Sequence, residues 1–378
     1  MNGYNLSEAS DIRLIGSAIT SIYYGSTLIW PLGPRDYSKE YLTIEATSNS
    51  AYFDFKIDEE LAYPRLLTIQ WSKDKINWKS KTSRWDDNKI YLSKGEKIFL
   101  KGTNSYYGRQ QEKDGWLLDG SNYLDIKDAK VYGNIMSMIY GDNFYGQTVL
   151  PSDFTFRKFF WFSINLDASN LILPSTELTY ACYAQMFKEG SCISAPKLPA
   201  TTLAPYCYYE MFDHSDITIT PELPALTLAD HCYYGMFSNC LYLEQAIDEL
   251  PATTLARSCY SSMFYGCDNL LTAPLELPAT TLATSCYSNM FYECYILTTA
   301  PVLPATALVD SCYYQMFFKC YDLNYIKCLA TDVPVSNCLY RWTENVASTG
   351  TFVKNPNMSN WHTLSYGIPS GWTVQDAS

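Results

Sequence analysis

The chain has 378 residues, 47% of them apolar and 16% aromatic, which supplies ample material for packed cores and argues against intrinsic disorder. Its net charge of -12 comes from 27 basic and 39 acidic residues. Nearly all of it falls between residues 171 and 330, where Lys188, Lys197, Arg257, Lys319 and Lys327 stand against fifteen carboxylates, so binding of nucleic acid or of an anionic membrane surface by that region is not expected.

The opening residues lack a basic segment followed by an apolar one, and no run reaches the roughly 18 apolar residues of a membrane span. Neither classical export nor membrane insertion is expected. Residues 10–32 alternate apolar and polar positions with Gly16 and Gly25 as punctuation, which predicts a short N-terminal β-hairpin within residues 1–38. It would serve as an attachment segment or as an edge of the next sheet. Strand-like runs such as YLTIEA, AYFDFKI, RLLTIQWS and EKIFLKG, divided by charged or Asn/Asp turns, predict a β-sandwich domain over residues 39–130. Residues 131–170, with Phe154, Phe156, Phe159, Phe160 and Trp161, read as the N-terminal cap of the region 171–330.

Residues 171–330 are internally repetitive. Leu-Pro recurs at Leu173, Leu198, Leu223, Leu250, Leu277 and Leu303, and nine residues after each stands a cysteine, from Cys182 to Cys312. The period is 25 to 27 residues, and one unit reads LPATTLAxxCYxxMFxxCxxLTTAP. Leu255, Cys259, Met263 and Cys267 are spaced four apart, which predicts a helix with one buried face that also carries Ala252 and Ala256. The short L-x-x-A-P stretch is expected to be a strand in a parallel ladder. The fold class expected is therefore α+β, a leucine-rich-repeat-like solenoid of six repeats behind a β-sandwich and a hairpin. In the first two repeats Glu189 and His214 are read as occupying the slot that holds Cys240, Cys267, Cys294 or Cys320 later, with Cys192 in a leucine slot.

The thirteen cysteines are odd in number and mostly periodic, so they are expected to be buried thiols rather than disulfides. On a helical wheel, positions two, six and nine after the first cysteine of a repeat face away from the apolar stripe. They are unusually aromatic: Tyr209, Tyr234 and Tyr314, then Tyr265, Tyr292 and Phe318, then Tyr295 and Tyr321. These rings either stack from repeat to repeat and stiffen the array, or form a strip that faces a ligand.

Residues 331–378 are expected to close the array as a C-terminal cap: a strand and one helix ending near Val346, then strands around 350–354 and 372–375. Trp342, Trp361 and Trp372 would cover the last repeat. Support for catalysis is lacking. The histidines His214, His231 and His362 are scattered, DHSD at 213–216 reads as a helix-end polar cluster, and no nucleophile elbow or phosphate loop accompanies it. Asp119, Asn122, Asp125 and Asp128 lack the glycine and closing glutamate of a calcium loop, and the thiols lack C-x-x-C spacing. A non-enzymatic protein without cofactor or metal is expected.

The unit LPATTLAxxCYxxMFxxCxxLTTAP resembles the BspA-type leucine-rich repeat. With GNIMSMIYGDNF before the repeats and ASTGTFVKNPNMSNW and GIPSGWTVQDAS after them, the chain is similar to repeat proteins of gut Bacteroides and of the phages that infect them. That resemblance implies adhesion to proteins or cell surfaces, with no catalytic residues to carry over. It leads to the expectation of a phage tail or tail-fibre protein, assembled in the host cytoplasm, that meets other tail proteins through its N-terminal segment and a host surface glycan or protein through its repeats. The alternatives are a bacterial surface or secreted adhesin of the same repeat class and a purely structural virion scaffold. A homo-oligomer is expected, although no heptad run specifies one.

Overall fold

The computed structural model describes residues 21–24, 27–31, 36–58, 65–108, 110–113, 116–333, 337–358, 361 and 366–378. Much of the predicted attachment segment, and His362, lie outside these residues. Strands β1 (Ser21–Tyr24) and β2 (Thr27–Pro31) pair antiparallel.

The next strands are β3 (Leu42–Ala46), β4 (Ala51–Ile57), β5 (Thr68–Ser72), β6 (Lys79–Thr82), β7 (Ile90–Leu92) and β8 (Lys97–Lys101). After the hairpin β9 (Gln110–Lys113) and β10 (Trp116–Asp119) comes the 13-residue β11 (Asn122–Asn134). Alternation places Leu42, Ile44, Phe53, Phe55, Ile69, Ile98, Leu100 and Ile126 inside, each fully buried. The expected β-sandwich is not formed. Strands β3 to β8 and β11 make one antiparallel sheet curled into a half-barrel, with the β9–β10 hairpin standing apart from it, because β11 is long enough to pair with β4 through Asn122–Lys127 and with β3 through Ala129–Tyr132. On its other side β11 pairs in parallel with β12 (Ile164–Ile172), which pairs in parallel with β13 (Cys192–Ser194). One nine-stranded sheet thus runs from antiparallel half-barrel to parallel ladder.

The expected α+β class is corrected: the chain is nearly all β, with 26% strand and 3% helix. The leucine-rich-repeat-like solenoid with a helix in every unit is overturned with it. Residues 258–267 hold no helix; their backbone N–H groups alternate between two destinations. Cys259, Ser261, Met263, Tyr265 and Cys267 each donate to the carbonyl three residues back, closing consecutive β-turns. Ser258, Tyr260, Ser262, Phe264 and Gly266 donate instead to carbonyls of the next repeat, at Thr284, Cys286, Ser288, Met290 and Tyr292, over 2.8–3.0 Å. Every fourth residue is left-handed, with φ of 51° at Ser258, 56° at Ser262 and 65° at Gly266. The four-residue spacing that suggested a helix is therefore the period of a turn. An α-helix repeats every 3.6 residues and would rotate such a stripe by about 40° at each step.

A chain of four-residue turns sends side chains in and out in pairs. Cys and Tyr point in, two residues point out, Met and Phe point in, and so on. Tyr183, Tyr208, Tyr233, Tyr260, Tyr287 and Tyr313 are all buried and stacked at centroid spacings of 5.6–6.1 Å. A second ladder, from Phe187 through Phe212, Phe237, Phe264 and Phe291 to Phe317, runs beside it at 5.3–5.8 Å. Offset ring contacts of this kind contribute about 0.5–1.5 kcal/mol each beyond area burial, which offsets the left-handed residues.

The same geometry extends beyond the six repeats. Residues 154–162 form a coil with left-handed Phe154, Lys158 and Phe162, in which Phe156 stacks on Tyr183 and Phe160 on Phe187. Tyr107 of the half-barrel stacks on Phe156 in turn and donates to the Met138 carbonyl at 2.7 Å, so one aromatic column joins both regions. At the other end the helix expected before Val346 is likewise a coil, with φ of 50° at Arg341 and 64° at Asn345. Trp342 is fully buried, stacks on Tyr313 and Trp361, and donates from Nε1 to the Gly367 carbonyl at 2.8 Å. Strands β14 (Tyr325–Cys328), β15 (Thr351–Lys354) and β16 (Thr373–Asp376) continue the parallel pairing to the end.

The reading of Glu189 and His214 as cysteine-slot residues is off by one position. Both are left-handed and exposed, and the slot belongs to Gly190 and Ser215. The Cys240, Cys267, Cys294 and Cys320 thiols donate to the carbonyls of Phe212, Phe237, Phe264 and Phe291 at 3.0–3.1 Å. Ser215 donates to the Phe187 carbonyl at 2.8 Å and so does the same work with a hydroxyl. At Gly190 a side chain would strike the Ser163 carbonyl, 2.5 Å from where a Cβ would stand.

Candidate functional site

Six of the eight candidate aromatic residues lie on the outer side of the turns, where the paired in-and-out pattern puts them; Tyr295 and Tyr321, directly after the second cysteine of their repeats, depart from that pattern and are half-buried and exposed, respectively. All eight fall into rows set by the repeat. In the first, Tyr209 and Tyr234 stack at 5.1 Å; Ser261 and Ser288 interrupt the row, and Tyr314 resumes it by stacking on Tyr340 at 5.0 Å. In the second, Tyr265 stacks on Tyr292 at 4.6 Å and Tyr292 on Phe318 at 4.8 Å. In the third, Tyr295 stacks on Tyr321 at 5.4 Å. Six of the eight are half-buried, Tyr321 is 51% exposed, and Phe318 is buried, with the Arg341 guanidinium 4.6 Å from its ring centroid. Ring faces are thus turned largely towards one another. Burial, followed by the charge of Glu210, pushes the Tyr209 phenol well above its ordinary value; burial followed by Tyr292 raises that of Tyr265.

Tyr340 also belongs to these rows, beyond the six repeats, and the sequence carries its signal: it stands two positions after Cys338 as Tyr314 does after Cys312. A further stack, Tyr206 on His231 at 4.6 Å, runs along the left-handed position just before the cysteine, and Tyr180, one position earlier in its own repeat, leans on Tyr206 at a tilt of 52°. Burial, then the charge of Arg257, holds the His231 imidazole below its ordinary value of 6.5.

The polar residues near the repeats are structural ties. In DHSD, Asp213 accepts from Lys188 at 3.0 Å, from His214 Nδ1 at 2.9 Å and from Asn239 at 3.2 Å, while Lys188 also reaches Glu210 at 2.5 Å. Burial opposes the charge of Lys188, but the bond to Glu210 and the charges of both carboxylates outweigh it and raise its ammonium above the ordinary range. The cluster ties three coils together through turns, not at a helix end. All thirteen cysteines are buried thiols outside any disulfide. Burial raises Cys182, Cys192, Cys259, Cys267 and Cys328 to about 12, so their thiols stay protonated and poorly nucleophilic.

The acidic run does not converge. Asn122 accepts from Ser83 and donates to the Arg65 carbonyl; Asp125 accepts from Tyr52 and lies near Lys56; Asp128 binds Ser48, Ser50 and Asn165. The side chain of Asp119 lies outside the described residues. Among the described residues no group of three or more His, Cys, Asp or Glu is placed to hold a metal ion, and no helix is long and apolar enough to cross a membrane.

Compared with family models, with curated proteins and with solved structures, the chain finds no match.

Proposed function

We propose that this chain is a non-enzymatic attachment protein, a tail or tail-fibre component of a phage, which docks to a glycan or protein on a bacterial host through the outer face of its turn stack. The observation that carries the reading is the aromatic face: Tyr209, Tyr234, Tyr265, Tyr292, Tyr314, Tyr321 and their neighbours are held in rows by one repeating backbone. Tyrosine edges offer large amphipathic contact area at little entropic cost, and rings already stacked lose even less on binding. The resemblance of the repeat unit and its flanking segments to proteins of gut Bacteroides and their phages supports the phage setting, and buried free thiols suit assembly in a reducing cytoplasm before release in the virion. The segment before the half-barrel would then meet other tail proteins.

The test is adsorption of the purified full chain to intact cells of the host, with competition against the phage. Replacing Tyr234, Tyr265 and Tyr292 together by alanine should weaken adsorption at least about tenfold, roughly 1.4 kcal/mol, and leave the melting temperature within about 5 °C. Unchanged adsorption would end the reading. A collapse in melting temperature would assign those rings to the core instead.

A further inference from the structure

The turn stack carries a second feature, separate from the aromatic rows: an open groove of 910 Å³ lined by parts of residues 218–224, 244–251 and 271–272. Its origin is legible in coil length. From Ser215 to Leu223 the chain takes eight steps, whereas from Cys240 to Leu250 it takes ten. The longer coil also lacks the proline that follows alanine at Pro196, Pro274 and Pro301; Ile247 stands there. A short coil beside a long one leaves a step, and parallel bridges Ile219 to Gln245 and Gln245 to Thr272 fix the floor of that step.

Two kinds of side chain meet in it. Glu222, Glu244, Asp248 and Glu249 line the groove, all four are exposed, and no lysine, arginine or histidine lines it. Beside them Ile219 is 77% and Leu271 50% exposed; the place of Ile219 is taken by Ser194, Gln245 and Thr272 in neighbouring repeats, and that of Leu271 by Thr218 and Thr298 in two repeats but by Ile193 and Glu244 in two others. Leu275, four residues after Leu271 and outside the groove lining, is 83% exposed. Apolar side chains standing in water next to uncompensated carboxylates mark a surface that a partner covers. The charge repels nucleic acid and anionic lipid, and an open groove lined from three successive repeats, with an apolar edge, matches a chain that offers both cationic charge and side-chain carbon.

We propose that this groove binds a cationic polypeptide segment of a partner protein, with lysine or arginine side chains against Glu222, Glu244, Asp248 and Glu249 and apolar side chains against Ile219 and Leu271. Adsorption through the aromatic rows and docking in the groove are independent and fail independently.

The test is fluorescence anisotropy of the full chain with labelled peptides of about eight residues, long enough to extend roughly 25 Å. A peptide alternating lysine and leucine should bind, more weakly as salt rises from about 0.05 to 0.5 M. A lysine–serine peptide should bind at least about fivefold more weakly, and a glutamate–leucine peptide should not bind, as complementary charge and apolar contact are both required. Glu222→Lys with Asp248→Lys, and separately Ile219→Ser with Leu271→Ser, should each cost about tenfold or more. All four positions are exposed, so an unchanged circular dichroism melt is expected. Asp86→Lys with Asp87→Lys, on an exposed turn of the half-barrel, should leave binding intact. Equal loss in that control, or equal binding of the lysine–serine peptide, would reduce the effect to bulk charge and overturn the proposal. The chain also displays a segment of the same chemistry, Lys73, Lys75 and Lys79 around Ile76, which is 80% exposed. Concentration-dependent self-association in sedimentation that Glu222→Lys with Asp248→Lys abolishes would make the occupant a second copy, and would overturn the assignment to a partner protein.

Discussion

In the half-barrel, neighbours in space come from unrelated stretches of sequence and each contact is made once. In the turn stack, each contact is made by the same residue types one period apart. The half-barrel therefore needs individual devices to fix its register. One is the buried pair Lys81–Asp54, 2.8 Å apart, in which Asp54 also accepts from the backbone of Phe55 and Asn88 and Lys81 donates to the Asn88 carbonyl at 2.5 Å. The stack needs none, since columns of tyrosine, methionine, phenylalanine and cysteine specify one alignment by being identical. The cost lies in its backbone, which holds a left-handed residue at every fourth position of each coil. Unique side-chain chemistry specifies one region and repeated backbone geometry the other, and each is broken by a different kind of substitution.

The largest expected effect is in the half-barrel. Lys81→Met strands the Asp54 carboxylate in the interior and should cost about 3–5 kcal/mol in urea unfolding. Adding Asp54→Asn, which removes the charge and keeps an oxygen for the Phe55 and Asn88 amides, should recover more than half of that loss. If the double variant is no better than the single one, packing of the lysine stem rather than charge pairing holds this corner.

Legibility in the sequence divides along the same line. The Leu-Pro to cysteine spacing marked every repeat, because identical side chains must meet to build the columns. The half-barrel strands were legible from alternation, as in AYFDFKI, where the even residues Tyr52 and Lys56 stay half-buried at the outside. The curl was not, because nothing in NYLDIKDAKVYGN announces that one strand pairs with both β3 and β4. The turn geometry was misread because Leu255, Cys259, Met263 and Cys267 fit a helix when taken singly. The pair Cys259-Tyr260 followed by Met263-Phe264, both pairs buried, is the sign that separates the two: adjacent inward residues every four positions suit a turn chain. The same pairing in Phe156, Phe159 and Phe160 and in Cys338, Leu339 and Trp342 would have found the extra coils. The outward rows of Tyr209 and Tyr265 are legible under either geometry, since a helical wheel and a turn chain both send the second and sixth positions outward.

A smaller effect tests the cysteine column. Ser215 is 1% exposed and donates to the Phe187 carbonyl as later thiols do to theirs. Ser215→Ala should cost about 1–3 kcal/mol by leaving that carbonyl without its side-chain donor. Ser215→Cys should stay within about 0.5 kcal/mol of the parent, because a thiol serves the same acceptor elsewhere. A large loss in the cysteine variant would show that the second repeat has closed around the smaller atom.

The smallest effect carries the clearest sign. Ser262 has φ of 56°, and its amide donates to Ser288 in the next repeat at 2.8 Å. If residues 258–267 were helical, Ser262→Gly would destabilise the chain by about 0.5 kcal/mol through lost helix propensity. In a turn chain the same change relieves a left-handed residue, and it should instead stabilise the chain by about 0.5–1 kcal/mol, less the backbone freedom that glycine restores to the unfolded state. Ser261→Gly, one position earlier, removes a hydroxyl that donates to the Ser288 carbonyl at 3.0 Å and should destabilise. A helix has no reason to treat two adjacent serines in opposite ways; a coil with a left-handed residue at every fourth position does, and chemical denaturation of the two variants side by side measures the difference.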